Sequence, residues 1–123
     1  MNAPGWPGIS ARWTSSAKSG VGTARNPLSK VWFTISHGIL NEIYYPRVDW
    51  ACTRDVGVVV TSGTDYFSEE KRHTQSQIRA LATGVPAFQL SNEALDGRYR
   101  IEKEILTDPL RNILLQRTRF VPL

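Results

Sequence analysis

The segment "PAFQLSNEALDGRYRIEKEIL", residues 86–106, limits the possible folds more than any other part of the chain. Side chains alternate in character with a period of two on both sides of Asp96-Gly97. That dipeptide supplies the positive φ angles that a tight turn between two strands requires. One face of the second strand then carries Tyr99, Ile101, Lys103 and Ile105, opposite Arg100, Glu102, Glu104 and Leu106. The pattern predicts a β-hairpin with one buried face.

Other short runs rich in β-branched and aromatic residues predict further strands. They lie at residues 30–38, 38–46, 56–61 and 113–120, and residues 75–84 suit either a strand or a short helix. Turn signals occur at residues 62–65 and 107–112. Six or seven short strands without a clear helix indicate an all-β fold, an antiparallel sandwich or barrel.

The first thirty residues differ from the rest, because they are rich in Gly, Pro, Ser and Ala and show neither strand nor helix periodicity. We therefore predict an irregular N-terminal arm at residues 1–30 and a β-domain at residues 31–123. The arm contains Trp6 and Trp13, and tryptophans in a polar segment usually pack onto another surface.

Length and charge exclude several classes of protein. A chain of 123 residues forms one domain at most, and a hydrophobic content of 41% is typical of a globular domain. The net charge of +4 is scattered, and Lys71-Arg72 is the longest basic run, which argues against a nucleic-acid partner. Neither a signal peptide nor a membrane-spanning run is visible, so we expect a cytoplasmic protein with no membrane partner.

Residues that could carry chemistry are few. His37, His73 and Cys52 lack the spacing of metal ligands, so we expect structural roles, a buried inert thiol, and neither a metal nor a cofactor. The adjacent Glu69 and Glu70 would point to opposite faces of a strand. Glu102 and Glu104 share a face near Arg and Lys, which indicates a solvated cross-strand charge pattern.

The stretch "HGILNEIYYPRVDWACTRD", residues 37–55, combines acids, bases, aromatics and the single thiol. No nucleophile signature surrounds Cys52. Exposed aromatic side chains would suit stacking on sugar rings or docking to another domain, and the alternative is that most of them belong to the core.

Four strings carry a resemblance to a known family: "PGISARWTSSAKSGVGTA", "SKVWFTISHGILNEIYYPRVDWACTRD", "YFSEEKR" and "DGRYRIEKEILTDPLRN". Together they resemble the N-terminal β-sandwich domain of bacterial glucoamylases and glucodextranases, glycoside hydrolase family 15. The resemblance runs from about residue 4 to residue 120. It implies a sandwich related in shape to galactose-mutarotase-like domains, of which this chain is the first, incomplete part.

The resemblance also implies a function. Family members release glucose from the non-reducing ends of α-glucans with inversion, using two Glu residues on an (α/α)6 barrel. None of the catalytic motifs matches this chain, so no catalytic residue is expected here, and the chain alone is expected to be inactive. The implied partners are that barrel and, through it, the α-glucan substrate. The residues predicted to contact the barrel or a sugar are Trp32, His37, Tyr44, Tyr45, Arg47, Asp49 and Trp50.

Two other classes of function fit the residues less well. A stand-alone carbohydrate-binding sandwich would use the exposed tryptophans and tyrosines for stacking. A basic β-domain that binds nucleic acid would require clustered positive charge, which the sequence lacks.

Overall fold

A computed structural model describes residues 14–123 of the chain. The regular secondary structure of this part consists of ten short β-strands and one helix of four residues. The strands are β1 (Gly20–Thr23), β2 (Trp32–Ser36), β3 (Ile39–Tyr44), β4 (Ala51–Val56), β5 (Val59–Thr61), β6 (Phe67–Glu69), β7 (Thr74–Ala80), β8 (Phe88–Ala94), β9 (Tyr99–Thr107) and β10 (Leu114–Pro122), and the helix is α1 (Glu70–His73). Within these residues no helix is long and apolar enough to cross a membrane.

The strands form two four-stranded antiparallel sheets and a small ribbon. The first sheet has the order β1-β2-β3-β4, the second has the order β10-β9-β8-β7, and β5 pairs with β6. Within each sheet, strands that are consecutive in sequence pair with each other, because short turns favour antiparallel neighbours. The two sheets pack face to face without closing into a barrel. The predicted antiparallel sandwich is therefore confirmed.

The core lies between the inner faces of the two sheets. Phe33, Ile35 and Leu40 of the first sheet pack against Leu90 and Ile105 of the second. A second buried cluster joins the far end of the second sheet to the β5–β6 ribbon, and it contains Ala94, Tyr99, Ile101, Val58, Val60 and Tyr66. The ribbon thus covers the part of the second sheet that the first sheet leaves open.

The predicted hairpin at residues 86–106 is confirmed as β8 and β9. Gly97 has φ +72°, as the tight turn requires. Burial along β9 alternates strictly from Tyr99 to Ile105. Lys103 falls on the buried face, where its ammonium group contacts the Glu70 carboxylate at 2.6 Å, and both side chains have no exposed surface.

The arm prediction is wrong for residues 20–23, which form β1 and pair with β2. Gly22 permits this pairing because a Cβ atom there would lie 2.2 Å from the Phe33 ring. The position of β1 therefore depends on the close approach of the Gly22 backbone to the Phe33 ring, and not on alternating side chains. The predicted packing of Trp6 and Trp13 lies outside the described residues.

Two further elements differ from the sequence prediction. The strand predicted at residues 56–61 divides into the end of β4 and the separate β5, with Gly57 between them. The first part of the ambiguous segment 75–84 is a strand, since residues 74–80 pair with β8 along their whole length, and residues 81–84 form a turn. Within the described part of the chain β7 is an edge strand paired with β8, and most of its residues are exposed.

Candidate functional site

Six of the seven predicted site residues gather at one end of the first sheet. Trp32 begins β2 and pairs with Tyr44, the last residue of β3. Tyr44 pairs in turn with Ala51, so the β3–β4 connection extends from the same end. We call this group the aromatic end; its members are Trp32, Tyr44, Tyr45, Arg47, Asp49 and Trp50.

Large apolar side chains at the aromatic end are exposed. The exposed fractions are 39% for Trp32, 42% for Tyr45 and 46% for Trp50, and Val48 between them is 59% exposed. Scattered exposed apolar residues need no explanation, but Tyr45, Val48 and Trp50 are grouped in one short connection, which makes it a candidate contact surface. The alternative that these aromatics belong to the core is wrong for these three.

An ion pair holds the shape of the connection. Arg47 donates from Nε to Asp49 Oδ1 at 2.9 Å and from Nη2 to Oδ2 at 2.7 Å. The backbone closes the loop, because Trp50 N donates to Arg47 O and Tyr45 N donates to Trp50 O. The Arg47 hydrogen bond lowers the pKa of Asp49, so this exposed carboxyl stays ionised. The two charges therefore orient each other beside the aromatic rings.

Tyr44 faces a buried polar group that the sequence did not predict. Its hydroxyl donates to Glu42 Oε2, and Lys18 Nζ contacts the same oxygen at 2.8 Å. Lys18 also donates to Asn41, whose amide donates to Asp55 at 3.0 Å. We call these residues the Lys18 cluster. It fastens the segment before β1 to the outer face of the first sheet, where Glu42 is only 6% exposed.

The charge of Glu42 is strongly favoured in this cluster. Burial opposes ionisation, but hydrogen bonds from Lys18, Tyr44 and Thr14 and the Lys18 charge outweigh it and lower the pKa of Glu42 from 4.5 to about 2. Burial and the adjacent carboxylate raise the pKa of Tyr44 to about 12. The phenol therefore stays protonated and acts as a donor, so no acid–base chemistry follows from this pair near neutral pH.

The contribution of the Glu42 carboxylate to the free energy of unfolding should be lost in acid. A group whose pKa is lower in the folded state stabilises the fold above its unfolded pKa, so the contribution is present above pH 4.5 and is lost as the pH falls toward 2. The shift corresponds to about 3 kcal/mol at most. We expect the free energy of unfolding, measured in urea, to vary less with pH across this range in Glu42→Gln than in the unsubstituted chain. We expect the same of Lys18→Met. An unchanged pH profile in both variants would contradict the assignment.

His37 lies away from the other predicted site residues. It occupies the β2–β3 turn with φ +51°, at the opposite end of these strands from Trp32 and Tyr44. Ser36 Oγ donates to Ala17 O at 2.7 Å, so the 2.6 Å contact between Ser36 Oγ and His37 Nδ1 places the proton on the imidazole nitrogen. His37 thus helps hold residue 17 against the sheet.

The single thiol of the chain, Cys52, lies on β4. Cys52 is exposed rather than buried, and its thiol donates to Ile43 O at 3.4 Å. Within residues 14–123, β4 is an edge strand of the first sheet. In residues 14–123 no group of three His, Cys, Asp or Glu side chains is arranged to hold a metal.

Fold and surface together define a class: an antiparallel β-sandwich domain that presents an exposed aromatic end. Comparison with known proteins identifies the family, since residues 3–122 match the family described as glucodextranase, domain N. The chain belongs to this family. It is similar to a glucoamylase of Clostridium sp. (strain G0005), with 40% identity over 120 residues, which cover 98% of this chain and 17% of that protein.

A solved structure is similar as well. The crystal structure of a bacterial glucoamylase complexed with acarbose matches 100% of this chain with a TM-score of 0.90 and 37% identity. The match covers 18% of that longer chain. The chain thus spans less than a fifth of the length of both relatives, and it corresponds to one part of larger enzymes.

Proposed function

We propose that the chain is the N-terminal structural part of a glucan hydrolase of the glucoamylase or glucodextranase type. In this proposal an (α/α)6 barrel outside residues 1–123 releases glucose from the non-reducing ends of α-glucans by inverting acid–base hydrolysis. Membership of the glucodextranase domain N family supports it, and so does the likeness to two glucoamylases.

One observation carries the proposed role, namely the exposed aromatic end. Protein interfaces are enriched in Trp, Tyr and Arg, and their energetic centres are aromatic anchors with polar groups around them. Trp32, Tyr45 and Trp50 supply the anchors, and the Arg47–Asp49 pair supplies orientation. We infer that this end docks onto the barrel and supports it, with no part in the chemistry.

The β10 edge fits the same proposal. Only one neighbour, β9, pairs with β10, and its nine residues leave a row of backbone groups without strand partners among residues 14–123. Leu115 and Phe120 on this strand are each 50% exposed. A long edge with exposed apolar residues favours pairing with a further strand, so the sandwich continues beyond β10 in the proposed enzyme.

The test has two steps. The gene is sequenced downstream of the Leu123 codon, and the protein encoded by the uninterrupted reading frame is assayed for glucose release from starch and dextran. Within that product we expect Tyr45→Ser combined with Trp50→Ser to lower the temperature of thermal inactivation by several degrees, because the docking surface loses its anchors. Leu110→Ser is the matched control, since Leu110 is 61% exposed in another turn.

The outcomes separate the candidate functions. A stop codon after Leu123 together with retention of the isolated chain on starch would favour a stand-alone carbohydrate-binding module, for which Trp32 and Trp50 provide stacking surfaces. Active product whose inactivation temperature is equal in the double variant and the control would contradict the docking role alone.

A further inference from the structure

A second surface lies on the outer face of the second sheet, away from the core. An open trough of about 740 Å³ runs across β7, β8 and β9 there. Cross-strand pairing places the side chains of neighbouring strands next to each other in the trough: Gln77 lies beside Ser91, and Ser91 lies beside Glu102. This volume is within the range of small-molecule binding sites, and no function discussed above uses the trough.

The side chains that line the trough are mostly polar and both donate and accept hydrogen bonds. Gln75, Gln77 and Gln89 contribute amides and Ser91 contributes a hydroxyl. Arg79 and Arg100 are balanced by Glu93 and Glu102, so the lining has no net charge. A neutral polyhydroxylated ligand fits this combination, whereas a phosphate or a nucleic acid would require excess positive charge.

Two arginines are already held in position. Arg79 Nε donates to Gln89 Oε1 at 2.6 Å, and Arg100 Nε donates to Glu102 Oε1 at 3.1 Å. Each guanidinium group keeps further N–H donors that can reach a ligand. Because the protein itself has ordered these side chains, binding would cost less conformational entropy.

The trough differs from the aromatic end in its chemistry. The outward-facing residues of β7, β8 and β9 that line it are polar, and its large exposed apolar residues are Ile78 and, beside the β8–β9 turn, Leu95. A protein interface would require an apolar centre. We propose that the trough binds a stretch of α-glucan chain, an inference that rests on the proposed glucan hydrolase function and assigns that substrate class to this surface.

The test is a nitrogen-15 NMR titration of the 123-residue chain with maltoheptaose, isomaltoheptaose and, as a β-linked comparison, cellopentaose. We expect the side-chain amides of Gln75, Gln77 and Gln89 to shift with an α-linked ligand, with millimolar affinity. Arg79→Ala should weaken binding about tenfold, because hydrogen bonds from a charged group are lost. Gln77→Ala should weaken it as well. Arg117→Ala is the matched control, since Arg117 lies on the same sheet on β10 and does not line the trough.

Each outcome decides between defined alternatives. No amide shift with either α-glucan would overturn the proposal, and so would equal shifts with cellopentaose or shifts confined to the indole N–H groups of Trp32 and Trp50. These failures leave the proposed function intact, because that function is tested by the activity of the longer gene product. If that product does not act on glucans while the trough binds them, the proposed function fails and the trough remains.

Discussion

Gly38→Ala is expected to lower the free energy of unfolding by about 3 kcal/mol or more, since two separate costs add. Gly38 has φ +73°, and a side chain in this region costs about 1–2 kcal/mol. An added Cβ would also lie 2.3 Å from Asn92 Oδ1 and 2.7 Å from Ser76 Cβ, and overpacking of a buried site costs about 1–3 kcal/mol. Urea unfolding followed by circular dichroism measures the change.

The clash is costly because Asn92 cannot move freely. It is fully buried, and its amide donates to Gly38 O at 2.7 Å and to Glu70 Oε1 at 2.6 Å. Displacing it would leave buried polar groups without partners. Asn92 therefore ties the β2–β3 turn of the first sheet to the second sheet.

Gly97→Ala separates the two costs. Gly97 has φ +72°, almost the same as Gly38, but an added Cβ would meet nothing within 4 Å. We expect this variant to lose only the backbone cost of about 1–2 kcal/mol. Equal losses in the two variants would show that the contact with Asn92 carries no cost and would contradict its role in tying the turn to the second sheet.

The strands with alternating side chains could be predicted from the sequence, and the strands placed by backbone contact could not. β8 and β9 follow the period of two, since burial alternates along β9 as their residues do. The sequence pattern does not predict β1, because two of its four residues are glycines and show no side-chain alternation. Gly22 is needed there because its backbone lies close to the Phe33 ring. β4 was missed because "ACTRDV" is largely exposed and shows no apolar face.

The candidate surface was predicted in part for a similar reason. Residues 44–50 are adjacent in sequence, so their closeness required only a turn, and Trp32 joined them through the pairing of β2 with β3. The Lys18 cluster could not be predicted, because Lys18 and Glu42 are 24 residues apart and no periodicity links them. His37 lies away from the aromatic end because it follows the last residue of β2, whereas Trp32 is the first residue of that strand.

Lys103 is a charged residue at a position that the sequence pattern assigns to the buried face of β9. It occupies a position on the apolar face of β9 between Ile101 and Ile105, where a charged side chain requires a buried partner. That partner, Glu70, lies in α1, which no pattern in the sequence predicted. Glu69 and Glu70 do not share a strand as predicted, because Glu69 ends β6 and is half-buried whereas Glu70 begins α1 and is fully buried.

Lys103→Met should destabilise the fold by about 3–5 kcal/mol, because the substitution keeps the length of the side chain but leaves the Glu70 carboxylate buried without a countercharge. Asn92 and Val58 N would still donate to that carboxylate, at 2.6 and 2.9 Å, and neither supplies a full positive charge. The measurement is again urea unfolding at neutral pH. Arg117→Met is the control, since Arg117 is 77% exposed beside Glu104 and its loss should cost less than about 1 kcal/mol.

The double variant Lys103→Met/Glu70→Gln tests the physical reason. If the cost of the single variant is an unpaired buried charge, then neutralising Glu70 as well should restore much of the stability, because an amide can still accept a hydrogen bond from Val58 N or Asn92. The coupling energy of the two substitutions would then be large and favourable. Additive losses would instead show that Lys103 acts through the packing of its aliphatic chain, and the ion pair would not hold α1 against β9.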